Sequence, residues 1–250
     1  MEQYNFPNHL AIIVDGNRRW ARKHNQPPCI GHKYGFERLE KTIDYAVTLG
    51  IPYISLFVFS TENFKRDTQE INFLMKLFRE NFRQMSSKMK EKDIKVIFSG
   101  RRTDLSPAII NSMEYLISET RDCTHATVNF CLNYGGKAEI VDACKAVVQE
   151  IDCKALCVQD IDEAVFARHL YTDLPPIDLL IRTSGELRIS NFMLWQSAYS
   201  EMYFTNVLFP DFDNHCLDEA IKSYQCRNRR YGGDSIKSGS CIQPERSGSP

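Results

Sequence analysis

Residues 9–24 read HLAIIVDGNRRWARKH, and this stretch decides the fold. His9 to Val14 is a short, continuous apolar run, the pattern of a strand buried on both faces of a parallel sheet. Asp15 ends the run, Gly16 permits a tight turn, and a helix-like segment opens at Asn17. A strand that turns straight into a helix aims unpaired backbone N–H groups beyond its end, which favours an anion such as a phosphate. Arg18, Arg19, Arg22 and Lys23 add four cations within six positions, although Arg22 and Lys23 equally suit a solvated outer face. A diphosphate would satisfy both the amides and a bidentate arginine. Asp15 is awkward beside that anion unless a divalent cation lies between carboxylate and phosphate oxygens, so the stretch predicts Mg²⁺. An ordinary strand-end aspartate capping a helix is the competing reading.

Outward from this segment, strands and helices alternate. Gly35–Leu49 carries Phe36, Leu39, Ile43, Ala46 and Val47 at helical spacing and stops at Gly50, and Ile51–Phe59 reads as a second buried strand. Asp67 with Glu70 three residues on forms a capping pattern for a long helix striped with Ile71, Leu74, Leu77, Phe78, Phe82 and Met85. Further strands are expected at 94–98, 126–132 and 177–182, and further helices from Ser106, at 136–150, 160–170 and 214–230. The alternation predicts an α/β domain with a central, mainly parallel β-sheet flanked by helices, in which ligands bind beyond the carboxyl ends of strands. Two more such ends carry polar clusters. Phe57–Arg66, FVFSTENFKR, sets Ser60, Thr61, Glu62, Asn63 and Arg66 beside aromatic residues, as a site or as a capped loop. In 178–201, DLLIRTSGELRISNFMLWQSAYSE, Arg182 ends a strand and Arg188 with Ser190 precede an expected apolar helix, which suits a second anion pocket, although Arg188 alone equally suits a solvated surface. Glu201 follows an aromatic stretch, where a carboxylate is costly unless paired or metal-bound.

Composition sets the bounds. The chain has 250 residues, 43% hydrophobic and 25% charged, which excludes a disordered or collagen-like class. Lys plus Arg (31) nearly balances Asp plus Glu (32), so nothing drives bulk binding of nucleic acid and anion binding must come from local clusters. No apolar run is long enough to span a bilayer, and the polar start MEQYNFPNH is not a secretory signal. Nine cysteines without a close C-x-x-C pair fit reduced thiols in the cytoplasm. Residues 234–250 contain nine Ser, Gly or Pro and read as a disordered tail after a domain spanning 1–233. His9, His125, His169 and His215 have no evident partners, whereas His32, between Gly31 and Lys33, follows the basic segment.

Together, HLAIIVDGNRRWA, the Gly31-His32-Lys33 step, FSTENFKR and IRTSGELRISNFMLWQSAYSEMYF resemble, in order and interval, the motifs of the cis-prenyltransferases, the undecaprenyl and dehydrodolichyl diphosphate synthase family. The similarity runs from about residue 8 to Gly233. It implies a homodimer with an elongated apolar tunnel that condenses isopentenyl diphosphate repeatedly, in cis, onto an allylic diphosphate such as farnesyl diphosphate, with Mg²⁺. Carried onto matching positions, Asp15 becomes the catalytic Mg²⁺ ligand, and Gly16, Asn17, Arg18, Arg19, Trp20, His32 and Arg66 surround the allylic substrate. Arg182, Arg188, Ile189 and Ser190 hold isopentenyl diphosphate, Ser60, Thr61, Glu62, Asn63 and Phe64 line the reacting centre, and Glu201 adds a metal ligand from the neighbouring subunit. A family role as proton acceptor falls on Asn63, but a neutral amide is a poor base, so Asn63 is read as orienting or relaying while a diphosphate oxygen takes the proton. Release of a lipid product implies peripheral, transient association with a membrane.

Two positions depart from the pattern. Pro28 stands where the family usually has an arginine gripping the allylic diphosphate, and Arg18 stands where typical bacterial members have glycine. Arg18 is therefore expected to replace part of the lost cation. Two rival functions stay open from sequence. An Asp-nucleophile phosphohydrolase would also begin with a buried strand ending in Asp15, but wants an aspartate where Asn17 stands. A non-catalytic partner subunit could dispense with Asp15, Arg19, Arg182, Arg188 and Ser190, all of which are present.

Overall fold

Leu10 and Ile12 point to one face of the first strand and Ala11 and Ile13 to the other, and all four are buried. This is the physical content of HLAIIV: with both faces covered there is no position for a polar alternate, and each large side chain contributes about 1.5–3 kcal/mol on burial. The structure is a computed structural model and describes residues 6–227. The strands are β1 (His9–Ile13), β2 (Tyr53–Ser60), β3 (Ile94–Ser99), β4 (Ala126–Tyr134), β5 (Leu179–Arg182) and β6 (Glu201–Phe204). They form one wholly parallel sheet in the order β3-β4-β2-β1-β5-β6, the α/β architecture expected. The helices are α1 (Asn17–Lys23), α2 (Pro28–Thr48), α3 (Thr68–Glu91), α4 (Pro107–Thr120), α5 (Gly136–Asp152), α6 (Glu163–Ala167) and α7 (Asn214–Gln225).

The larger core packs Leu10, Ile12, Ile54, Leu56 and Ile181 against Leu39 of α2, Phe78 of α3, Ile109 of α4 and Leu217 of α7. On the opposite face Ala11, Ile13, Phe57 and Leu180 meet Phe192 and Met193 from the segment 190–200. From β1 the chain builds β2, β4 and β3 to one side, then returns to place β5 and β6 on the other. The switch point therefore lies between β1 and β5, and a crevice opens beyond their carboxyl ends.

Several elements differ from expectation for identifiable reasons. Helix α2 starts at Pro28, seven residues before the apolar periodicity, because its first turns face α1 with glycine. A Cβ on Gly31 would fall 2.1 Å from the Asn17 carbonyl oxygen, and one on Gly35 would fall 2.2 Å from Asn17 Oδ1. Close approach leaves no apolar stripe to read. The helix expected at 160–170 shrinks to α6, because Asp162 caps a later start by accepting from the Val165 N–H at 2.7 Å. No apolar helix follows Ser190: Ser190, Asn191 and Met193 have φ of 48°, 65° and 39°, and 190–200 is a chain of turns. The strand β6 is four half-buried residues at the sheet edge, too short to show periodicity. Helix α7 ends at Gln225; residues 228–230 of the expected helix, the domain limit at 233 and the tail 234–250 lie outside the described residues.

His9 does have partners. Its Nδ1 donates to the Pro175 carbonyl at 2.6 Å, and its Nε2 accepts from the Ser55 hydroxyl at 2.8 Å. Ser55 Oγ accepts from Asn129 Nδ2 at 3.1 Å, and Asn129 Oδ1 accepts from Ser99 Oγ at 2.9 Å. The chain of bonds crosses β1, β2, β4 and β3 inside the sheet. His169 also finds one, with Glu150 Oε1 at 3.1 Å.

Candidate active site

Asp15 leaves β1 with its backbone clamped to the neighbouring strand. Its N–H donates to Thr183 Oγ1 at 3.0 Å, and the Thr183 hydroxyl donates to the Asp15 carbonyl at 2.6 Å. Its carboxylate accepts from Arg182 Nη2 at 2.9 Å and lies 3.5 Å from Arg19 Nη2, so the ends of β1 and β5 meet through charge. The turn onto α1 needs glycine: Gly16 has φ 110°, and a Cβ there would fall 3.1 Å from the Leu208 backbone.

A cavity of about 790 Å³ opens beside this corner. Asp15, Gly16, Asn17, Arg18, Arg19, Arg22, Asn25, Gln26, Pro28, His32 and Arg66 line it. The sequence-selected His32 and Arg66 thus join the first motif. They are tied by Glu70, whose Oε1 accepts from Arg66 Nη1 and contacts His32 Nε2, both at 3.1 Å, while Oε2 lies 3.6 Å from Arg18 Nε. Burial pushes the His32 imidazole below its ordinary value, against the opposing pull of Glu70 and with help from Arg66 and Arg18. Glu70 does not serve the capping role expected of it: Asp67 alone caps α3, accepting from the Gln69 N–H at 2.8 Å. The Arg66–Glu70 spacing of four was the available signal.

Arg182 is 4% exposed and anchors the second cluster. Its Nη1 donates to the Arg188 carbonyl at 2.6 Å and to Ser190 Oγ at 2.7 Å. Ile189 is half-buried beside them and packs against the smaller core. Arg188 points outward, pairing with Glu186 at 2.5 Å, and Glu186 also holds Arg19 Nη1 at 3.2 Å. Ser184 takes both ends of the Arg19 guanidinium, on its carbonyl and its hydroxyl. Thr183, Ser184 and Glu186, unremarked in the sequence, thus set how Asp15 and Arg19 stand.

Other residues are placed differently. The structure does not bring Trp20 to the cavity: it is buried, its Nε1 donates to Asp211 Oδ1 at 2.7 Å, and its ring stacks on His24. Ser60 and Asn63 form a capping box on the 3-10 turn Thr61–Lys65, with Asn63 Oδ1 accepting from the Ser60 N–H at 3.1 Å. Phe64 packs edge-on against Phe59 with centroids 5.0 Å apart, and Glu62 lies near the second cluster through Asn191. Glu201 sits in register with Leu179, three positions from the level of Arg182, and pairs with Arg227 at 2.9 Å. Within one chain it is therefore about 10 Å along the strands from the corner where Asp15 stands.

No group of three or more His, Cys, Asp or Glu among the described residues forms a closed metal cage. Asp15 nevertheless suits Mg²⁺, because Oδ1 has no hydrogen-bond partner among the described residues and Mg²⁺ characteristically takes one or two carboxylates plus substrate phosphates. Among the described residues no helix is long and apolar enough to cross a membrane.

A parallel α/β sheet whose switch point carries one carboxylate between arginine clusters is an arrangement suited to phosphate-type anions. Residues 13–232 match the family described as "Putative undecaprenyl diphosphate synthase". An isoprenyl transferase of Streptococcus thermophilus is 43% identical over 234 residues, covering 92% of this chain and 94% of that protein. A protein of Pyrococcus horikoshii, described as tritrans,polycis-undecaprenyl-diphosphate synthase (geranylgeranyl-diphosphate specific), is 42% identical over 229 residues, 90% of this chain and 87% of that one. Among solved structures, lavandulyl diphosphate synthase from Lavandula x intermedia, in complex with dimethylallyl diphosphate, superposes with a TM-score of 0.88 at 34% identity, covering 91% of this chain and 98% of that chain. The chain belongs to the undecaprenyl diphosphate synthase family of prenyltransferases, and it is an enzyme of prenyl transfer.

Proposed function

We propose that this chain condenses isopentenyl diphosphate repeatedly, in cis, onto an allylic diphosphate to make a long polyprenyl diphosphate, with Mg²⁺ and with farnesyl diphosphate as primer. One observation carries the reading: Asp15 and Arg182 meet at 2.9 Å across the switch point, with Arg18, Arg66 and His32 on one side and Arg188 and Ser190 on the other. Two anion-holding sides suit two diphosphates. The allylic C–O bond breaks, the isopentenyl terminal carbon bonds to the allylic carbon, and the isopentenyl unit loses a proton to a diphosphate oxygen. Asp15, with diphosphate oxygens, would hold Mg²⁺, which when bound supplies positive charge to the leaving diphosphate.

The remaining work falls to the chain itself. Arg18, Arg19 and Arg66 stabilise the departing charge, and the helix start at Gly16–Asn17 adds backbone donors. Arg182 Nε is buried without a partner among the described residues, a donor for the second diphosphate with Arg188 and Ser190. Asn63 is a neutral amide and a poor base; its oxygen accepts from the Ser60 N–H, and its NH₂ is placed to donate and orient. Pro28 lines the cavity without offering a donor, and Arg18 reaches the same cavity.

Glu201 would serve the metal only from a second copy of the chain. A growing chain would run as a tunnel along the larger core, where Val58 and Leu132 are candidates for setting length with Ala126, and a membrane would receive the product. The primer is the least constrained part, since relatives are described with geranylgeranyl and dimethylallyl diphosphates. Incubating the purified chain with farnesyl diphosphate and labelled isopentenyl diphosphate, with Mg²⁺ or chelator, should give a sizeable lipid only with Mg²⁺. Phosphate release from a simple phosphomonoester without chain growth would favour the phosphohydrolase instead.

A further inference from the structure

Asn191 joins three segments. Its carbonyl oxygen accepts from the Gly136 N–H at 2.7 Å and its Oδ1 from the Lys137 N–H at 2.8 Å, both in the first turn of α5. Its Nδ2 donates to Glu62 Oε1 at 3.0 Å, in the turn that follows β2. The residue before it, Ser190, sets its hydroxyl 2.7 Å from Arg182 Nη1. Ser190 and Asn191 are both left-handed, at φ 48° and 65°. Such a pair of non-glycine residues persists only where its surroundings hold it, and the three bonds of Asn191 are that hold. The approach is close: a Cβ on Gly135 would fall 2.8 Å from Thr61 Oγ1 and 2.9 Å from Asn191 Nδ2. The Glu62 carboxyl is pushed up by partial desolvation, but hydrogen bonds from its own backbone, Asn191, Ser60 and Thr61 outweigh this and keep it below its ordinary value. An ionised acceptor makes the Asn191 bond a charge-assisted one.

We propose that Asn191 is a positioning residue that fixes the FSTENFKR turn relative to the Arg182–Ser190 cluster, and so sets how the two substrates approach each other. The proposal rests on the reading of two diphosphate sites given above. Asn191 acts through Glu62 and Ser190 rather than on the reacting atoms. Bond formation depends steeply on placement, so that about 1 Å of drift between two segments can cost about 10²-fold in rate.

Two substitutions separate backbone strain from the hold. Asn191→Gly accepts the left-handed backbone freely but removes both side-chain bonds. Asn191→Asp keeps the acceptor for Lys137 and sets a carboxylate against Glu62. Both should lower kcat about tenfold or more while each substrate's KM stays within about twofold, the signature of lost placement rather than lost binding. The decisive arm exchanges donor and acceptor. Asn191→Asp should cost about tenfold in the wild-type background and under about twofold in the Glu62→Gln background, where the amide can donate to the new carboxylate. Equal cost in both backgrounds, a change in KM alone, or wild-type kcat in Asn191→Gly would overturn the proposal. Absence of chain growth in the wild-type protein would instead overturn the functional reading beneath it.

Discussion

Two polar clusters lie within one sheet and are finished to different degrees. In the His9–Ser55–Asn129–Ser99 chain every donor has an acceptor, all four residues are at most 1% exposed, and a single neutral tautomer of His9 satisfies both its neighbours. At the Asp15–Arg182 corner the bonding is left incomplete. Asn17 Oδ1 and Arg182 Nε are two of the four buried side-chain atoms without a partner among the described residues, and left-handed Ser184, Ser190 and Asn191 border the same region. A fully paired buried network specifies architecture, whereas an unpaired acceptor, an unpaired donor and strained backbone at a strand end suit a place that takes a ligand.

The contrast is open to test. Asp15→Ala should reduce condensation by about 10³-fold or more while the circular dichroism spectrum is retained. An activity loss below tenfold would remove Asp15 from the centre of the site. Asn129→Leu strikes the finished cluster, leaving Ser55 and Ser99 short of partners. It should lower unfolding free energy in urea by about 2–4 kcal/mol, with the rate per folded molecule within about twofold. A variant that stayed stable but lost activity would reverse the roles of the two clusters.

A smaller effect should appear with pH. Burial holds the His9 imidazole below its ordinary 6.5, against the Pro175 carbonyl and Asp178, which pull it up. Below about pH 6.5 the unfolded chain therefore binds a proton that the folded chain refuses, and stability falls as pH drops toward the lowered folded value. His32 shifts in the same direction. Urea midpoints should decline between pH 7.5 and 5.5, and His9→Gln should flatten that decline. An unchanged slope in the variant would mean that His9 is not the neutral member of the chain.

Much of the fold was legible because burial on both faces writes itself as apolar runs: β1, β2, β4 and β5 all stood out. What stayed hidden was encoded in other currencies. The first turns of α2 are held by the absence of side chains at Gly31 and Gly35, and 190–200 is held by Asn191 and by Gln196 on Glu139 rather than by an apolar stripe. At the site, charged residues at strand ends pointed to Asp15, Arg18, Arg19, Arg66 and Arg182. Of their partners, Glu70 alone had a spacing signal, four residues after Arg66, whereas Thr183, Ser184 and Glu186 were invisible as such, because a residue that orients another across the fold leaves no local pattern. Trp20 belongs to a motif by position but to the Asp211 contact by geometry.

The central claim is that the corner holds two diphosphates on separate sides, and Arg18 and Arg188 test it most directly. Their side chains are 59% and 60% exposed, so removing either should disturb packing equally little. Steady-state kinetics of Arg18→Ala should show the allylic KM raised about tenfold with the isopentenyl KM unchanged, and Arg188→Ala should show the reverse. If both variants raise the same KM, or neither changes one, the two-sided site is contradicted.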